Sequence, residues 1–317
     1  MVVADTEFAA ECRAFNEQIE ALMAGMPKVH EIPAEVTRRA RREGRGVLPA
    51  PARAAHAYEL RAPGRAGPVT VRVIPPQTRE ATGVYLHFHG GGHTLGSADG
   101  QDPLLEALAE TTGLCVASVE YRLAPEHPFP AGPDDCEDAA LWLVGDGVAE
   151  IGAPPVFAVG GESAGAHLAA STILRLRDGH GLTPFSAANL VYGVFDLSGT
   201  PSQRLWPAGR ELVLSRESMA WFTRCFAPEM STDELRSPEI SPLYADLHGL
   251  PPALFVVGTA DPLLDDSLFM SSRWLAAGNE AELLVYPEAA HGFNVFPLAA
   301  AAHANEAQAA FLRTALG

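Results

Sequence analysis

The chain is short of cysteine, of positive charge and of long apolar runs. Cys12, Cys115, Cys136 and Cys225 are scattered with no CxxC pair, so they form neither a disulfide framework nor a thiolate metal motif and suit free, mostly buried thiols of a reducing compartment. Lys and Arg total 22 against 39 Asp and Glu, a net charge of -17. That balance speaks against a nucleic-acid or anionic-membrane partner, which the average surface would repel. The one basic run, "RRARREGR" from Arg38 to Arg45, reads as the solvated face of a helix. No apolar stretch approaches the ~20 residues of a spanning helix, so no stable membrane insertion is expected. The start "MVVADTEFAAEC" acquires acid at Asp5 and Glu7 and lacks the basic-then-apolar order of a signal peptide, which points to a cytoplasmic location.

Against these absences, 47% of the 317 residues are hydrophobic and 19% charged, enough for one large core with a small accessory layer. Short β-rich apolar runs alternate with helix-like segments, as in a mostly parallel sheet covered by helices on both faces. The strand candidates are "HAYELRA" from His56, "VTVRVI" from Val69, "GVYLHFH" from Gly83, "LCVASVEY" from Leu114, "VFAVG" from Val156, "NLVYGVF" from Asn189, "ALFVVG" from Ala253 and "AELLVY" from Ala281. The first two are linked by "PGRAGP", a turn that suits an antiparallel hairpin at a sheet edge. Two segments break the alternation. Residues 1–48 read as helices with no strand between them, and residues 199–240 form an overlong connection of the kind that often serves as a lid.

"GESAG", Gly161 to Gly165, lies between a strand candidate and a helix candidate. This is the setting of a nucleophile elbow, in which a tight turn projects Ser163 past the sheet and glycines avoid collision with the neighbouring strand. The helix that follows aims its free N–H groups at the same point. A serine hydroxyl needs a base, and in such an arrangement the partners follow in the order serine, acid, histidine. Asp261 in "VVGTADPLLDD" and His291 in "YPEAAHGF" supply that order at strand ends. Asp261 could instead cap a helix, with Asp265 or Asp266 as the acid; Asp196 is a further strand-end carboxylate, better suited to bracing a loop. His167, His87 and His89 stand behind His291 as the base. Gly90, Gly91 and Gly92 follow the strand "GVYLHF" and, with the N–H of Ala164, could form an oxyanion hole worth about 3 to 4 kcal/mol per donor. The other reading of the glycine run, a phosphate cradle, lacks the Lys or helix start it would need.

Together, "HGGG" at His89, "YRLAPEHPFPAG" at Tyr121, "GESAG" at Gly161, "SPL" at Ser241, "DPLLDD" at Asp261 and "HGF" at His291 resemble the hormone-sensitive-lipase-like (bacterial family IV) carboxylesterases of the α/β-hydrolase superfamily. The resemblance runs from about residue 80 to the end. It implies an eight-stranded, mostly parallel sheet in a catalytic domain of residues 49–317, with residues 1–48 and the inserted 199–240 as a helical cap. It also implies a Ser163, Asp261, His291 triad, oxyanion donors from Gly90, Gly91, Gly92 and Ala164, and hydrolysis of a small ester of short to medium acyl chain without metal or cofactor. Many such proteins pair as homodimers. Tyr121, Arg122 and Glu126 are expected to brace loops. His93, where the family commonly has a large apolar residue, is a candidate for the pocket mouth or a satisfied structural histidine. Trp206, Met219, Trp221 and Phe222 are candidate pocket residues, and Ala166, commonly glycine, should crowd the elbow slightly. An amide or acetyl hydrolase with the same triad remains an alternative, as does a non-catalytic ligand-binding protein of the same fold.

Overall fold

Eight strands, one for each candidate run, make a single sheet in the order β1-β2-β4-β3-β5-β6-β7-β8 in a computed structural model that describes residues 6–45 and 52–316. They are β1 Tyr58–Ala62, β2 Val69–Ile74, β3 Gly83–Phe88, β4 Leu114–Glu120, β5 Phe157–Glu162, β6 Phe185–Val191, β7 Ala253–Ala260 and β8 Ala281–Ala290. β1 and β2 form the antiparallel edge hairpin, β2 also runs antiparallel to β4, and every later pairing is parallel. β7 and β8 run on past their candidate runs, to Ala260 and Ala290, and β6 is displaced toward the N-terminus of its own. β6 begins at Phe185 and stops at Val191, because Tyr192 takes a left-handed φ of 36° and Phe195 folds its ring back over Gly193.

The helices, in chain order, are α1 Thr6–Ala24, α2 Ala34–Arg42, α3 Asp102–Thr112, α4 Ala131–Trp142, α5 Val148–Ile151, α6 Ala164–His180, α7 Pro201–Leu205, α8 Arg216–Phe226, α9 Thr232–Leu235, α10 Leu264–Ala276 and α11 Ala299–Leu316. Strand side chains alternate between the two faces of the sheet. On β3, Val84, Leu86 and Phe88 join the core under α4, α6 and α10, while Tyr85 joins the core under α3 and α11. Burial on both faces is why these strands read as continuous apolar runs.

The connection from β3 runs to β4 on one side of it, and the chain then returns to β5 on the other. Parallel strands collect a ligand site outside their carboxyl ends at such a reversal. The glycine run after β3 and Ser163 after β5 therefore meet in one crevice.

Among the described residues before β1, α1 and α2 are the helices; residues 1–5 and 46–48 of the expected cap segment lie outside the described residues. α1 is packed along β8, with Cys12 in a cluster around Tyr286 and Ile19 in one with Trp206 and Leu212. The basic run departs from a purely solvated face. Arg39, Arg41 and Arg42 are exposed, but Arg38 turns inward and donates to the backbone carbonyl of Thr94, since α2 lies over the turn that follows the glycine run.

Candidate active site

The elbow is built as the glycine spacing requires. Ser163 sits at φ 57° and ψ -118°, a backbone state costly for a residue with a side chain and held only by its surroundings. Those surroundings are the N–H of Ser163 donating to Val191 O at 2.9 Å and two glycines with no room for a Cβ, since one at Gly161 or Gly165 would run into Phe88 O. Ala166 is fully buried in the main core cluster, so its methyl group is a packed contact.

β7 and β8 deliver the partners. His291 Nε2 lies 3.0 Å from Ser163 Oγ, and its Nδ1 lies 2.9 Å from Asp261 Oδ2. The other carboxylate oxygen of Asp261 accepts from Leu263 N at 2.8 Å, which holds the acid in place beside the imidazole. Asp261 is 2% and His291 6% exposed, and in such a dry setting the charge-assisted bonds of the set are strong. Behind the loop, Asn16 of α1 donates to Glu288 O at 2.7 Å and Thr259 accepts from Glu288 N at 2.7 Å. These bonds hold Glu288, at φ 59°, three residues before His291.

The rival acids have other partners. Asp265 accepts from Ser202 N. Asp266, fully buried, accepts from Phe195 N, Asp196 N, Thr200 Oγ1 and Gln203 Nε2. Asp196 accepts from Ser198 N and from the Tyr244 hydroxyl and so braces its loop.

The glycine run passes beside the serine. A Cβ on Gly90 would meet Glu162 O next to Ser163, and one on Gly92 would meet the Phe222 ring. Gly91 and Gly92 have φ of 125° and 61°, which favours glycine at both. Ala164 is the first residue of α6, where N–H groups have no partner inside the helix. Of the pocket candidates, Phe222 lies against this loop with Trp221 5.0 Å from it, and Met219 is half-buried on the same helix. Trp206 sits behind the triad, packed on Ala260 and Ala290. His93 is 5% exposed and stacked on Phe226, the setting of a satisfied structural histidine. Because the Nε2 of His167 bonds Ile240 O at 2.7 Å, its Nδ1 is left to accept from His93 Nε2 at 3.0 Å.

Some neighbours of the site were not singled out by sequence reasoning. Tyr192 sets its ring edge-on to His291 at 4.7 Å and donates its hydroxyl to Asn294; its only sequence signal was an aromatic hydroxyl at the end of an apolar run. Glu162, between Gly161 and Ser163, pairs in the interior with His87 at 3.0 Å, and His87 meets Ser118 at 2.9 Å. Tyr121 donates to His89 O at 2.7 Å and Arg122 grips Asp135 through two nitrogens.

Burial depresses His89 and His167 to about 4 and His93 well below its ordinary 6.5, chiefly by desolvating the charged ring. The unfolded chain therefore binds more protons below pH 6.5. The stability tied to the neutral rings is complete above that value and is lost as the pH falls toward 4. Asp266, pushed up to about 7 by burial, acts with the opposite sign between 3.8 and 7, but it is one carboxyl against three histidines. Thermal melts between about pH 7 and 4.5 should show Tm falling by several degrees; a level or rising Tm would contradict these assignments.

Among the described residues no group of three or more His, Cys, Asp or Glu is placed to hold a metal ion, and no helix is long and apolar enough to cross a membrane. Residues 85–295 match the α/β hydrolase fold family. The chain is 36% identical over 258 residues to carboxylesterase NlhH of Mycobacterium tuberculosis, covering 78% of this chain and 79% of the relative. It is 33% identical over 236 residues to an acetyl-hydrolase of Streptomyces hygroscopicus, covering 73% and 76%. A solved esterase of Pyrobaculum calidifontis superposes with a TM-score of 0.84 at 30% identity, over 96% of this chain and 99% of that one.

Proposed function

The chain belongs to the hormone-sensitive-lipase-like (bacterial family IV) carboxylesterases of the α/β-hydrolase fold, and from that premise we propose that Ser163, His291 and Asp261 carry out its ester hydrolysis through an acyl-enzyme on short to medium acyl esters. The observation that carries this reading is the unbroken line from Ser163 Oγ through the His291 ring to Asp261, placed beside the glycine run. Ser163 attacks the ester carbonyl while His291 Nε2 accepts its proton, and Asp261 stabilises the imidazolium without taking the proton itself. The carbonyl oxygen, now negative, receives hydrogen bonds from N–H groups of the Gly90, Gly91, Gly92 turn and of Ala164. Collapse of the tetrahedral species expels the alkoxide, which His291 protonates. Water, activated by the same histidine, then releases the acid and restores Ser163.

In this reading the residues before β1 and the segment 199–240 are the cap. α8 supports that role, since its Phe222 ring lies against Gly92 of the glycine run, with the Trp221 ring 5.0 Å from that of Phe222. An aromatic ring so near the donors suits a small acyl group. The triad itself constrains acyl transfer and not the leaving group, so an acetyl or amide hydrolase is the second reading, favoured by the same short reach and by similarity to a named acetyl-hydrolase.

The test is a series of p-nitrophenyl esters from acetate to laurate run beside the matching anilides. The expected kcat/KM is highest for the short acids, drops steeply toward laurate, and is far lower for every anilide. Anilide rates equal to ester rates would move the assignment to an amidase, and a flat chain-length profile would remove the short acyl pocket.

A further inference from the structure

Arg38 is the one residue of the "RRARREGR" run whose head lies inside the molecule, with its side chain 15% exposed. Its guanidinium binds two segments of the catalytic domain at once. Nε donates to Thr94 O at 2.7 Å, and Nη2 donates to Ala124 O at 2.5 Å and to Glu126 Oε2 at 2.8 Å. The two segments are also joined directly, because Ala124 N donates to His93 O at 2.9 Å. Thr94 in turn closes the glycine turn. Its N–H donates to Gly91 O at 3.1 Å, its hydroxyl donates to Gly92 O at 3.0 Å, and Leu95 N donates to Gly91 O at 2.8 Å.

Glycines at positive φ have little stiffness of their own, since the freedom that lets them adopt the turn also lets them leave it. Rigidity of their N–H groups must come from what grips the turn. Oxyanion donors act by being fixed before charge develops, and a displacement near 1 Å can cost about a hundredfold in rate. A planar fork bonded to two carbonyls fixes both distance and angle, which a single ammonium cannot do.

We propose that Arg38 is a positioning residue for the oxyanion: from outside the catalytic domain it locks the turn from Gly91 to Leu95, and so sets the donors that the transition state uses. The proposal rests on the reading above, that the glycine turn supplies those donors. It makes the N-terminal segment part of the rate machinery as well as a cover. Glu126, 49% exposed, balances the charge on the solvent side and does not touch the turn.

The experiment compares R38M, R38K, E126Q and G92A for kcat and KM on a short p-nitrophenyl ester, for inhibition by an alkylboronic acid that becomes tetrahedral on Ser163, and for Tm. R38M should lose about ten- to a hundredfold in kcat, keep KM within about threefold, and bind the boronic acid more weakly by the same factor as its kcat/KM. R38K should recover part of each loss. E126Q, with both carbonyl bonds intact, should keep kcat. If G92A weakens boronic-acid binding while a folded R38M does not, the positioning role is overturned and the oxyanion reading stands. If G92A leaves that binding unchanged, both fall. Should R38M fail to fold, R38K and E126Q decide: equal rate losses that follow Tm in both would reduce Arg38 to a stabilising contact.

Discussion

Ser163→Ala is expected to lower kcat by about 10^5 to 10^6 and to abolish covalent labelling by a fluorophosphonate, while Asp261→Asn lowers it by about 10^4. The serine substitution removes the oxygen that bonds His291 Nε2. The asparagine keeps the shape of Asp261 but turns a carboxylate that accepts from His291 Nδ1 into a neutral amide that neither fixes the ring tautomer nor stabilises its charge. The neighbouring acids give the contrast. Asp265→Asn should cost little, because that carboxylate serves Ser202 N. Asp266→Asn should lower Tm, since an amide cannot accept four donors, with a rate effect far smaller than that of Asp261→Asn. Steady-state rates and intact-mass labelling of the four variants decide the matter. A labelled S163A protein would remove the nucleophile, and a larger rate loss in D265N than in D261N would move the acid.

The second large effect is on the fold at the elbow. In Gly165→Ala the new methyl would occupy the space of Phe88 O, with Phe88 C and His89 C close behind. All three are backbone atoms of the β3 end, which leads straight into the glycine run. No rotamer change can relieve a clash with backbone, so α6 or the strand must shift. The expected cost is about 3 kcal/mol or more, the upper end for added bulk in a packed site, with loss of activity as the donors are displaced. Gly179→Ala on the same helix is the control, for a Cβ there meets nothing within 4 Å. It should raise stability by about 0.5 to 1 kcal/mol. Chemical denaturation of both variants measures the contrast, and a G165A protein as stable as the parent would mean that the helix and strand are not in contact as described.

Ala166 shows how narrow that margin is. One position along from Gly165, a methyl group is accommodated in the core.

The features legible in the sequence are those that depend on neighbours along the chain. Continuous apolar runs become the buried inner strands, and a strand appears for each of the eight candidate runs. A strand that must reverse into a helix needs small residues around the one that it presents. The order Ser163, Asp261, His291 follows from strand order, because each residue is attached to the carboxyl end of its own strand. What the sequence misjudged has a common character. β6 ends early at Val191 because a ring folds back onto Gly193. Arg38 is inward because two carbonyls lie under α2, 56 and 86 residues away in the chain. Tyr192 becomes a neighbour of His291 only once β6 and β8 are brought together by the sheet.

The sequence by itself determined the strands, the elbow and the identity of the chemistry, because backbone conformation and burial are set by local residue types. Only the tertiary structure decided which polar groups satisfy one another across distant segments. A buried donor takes whichever acceptor packing brings within about 3 Å, and no local pattern records that choice.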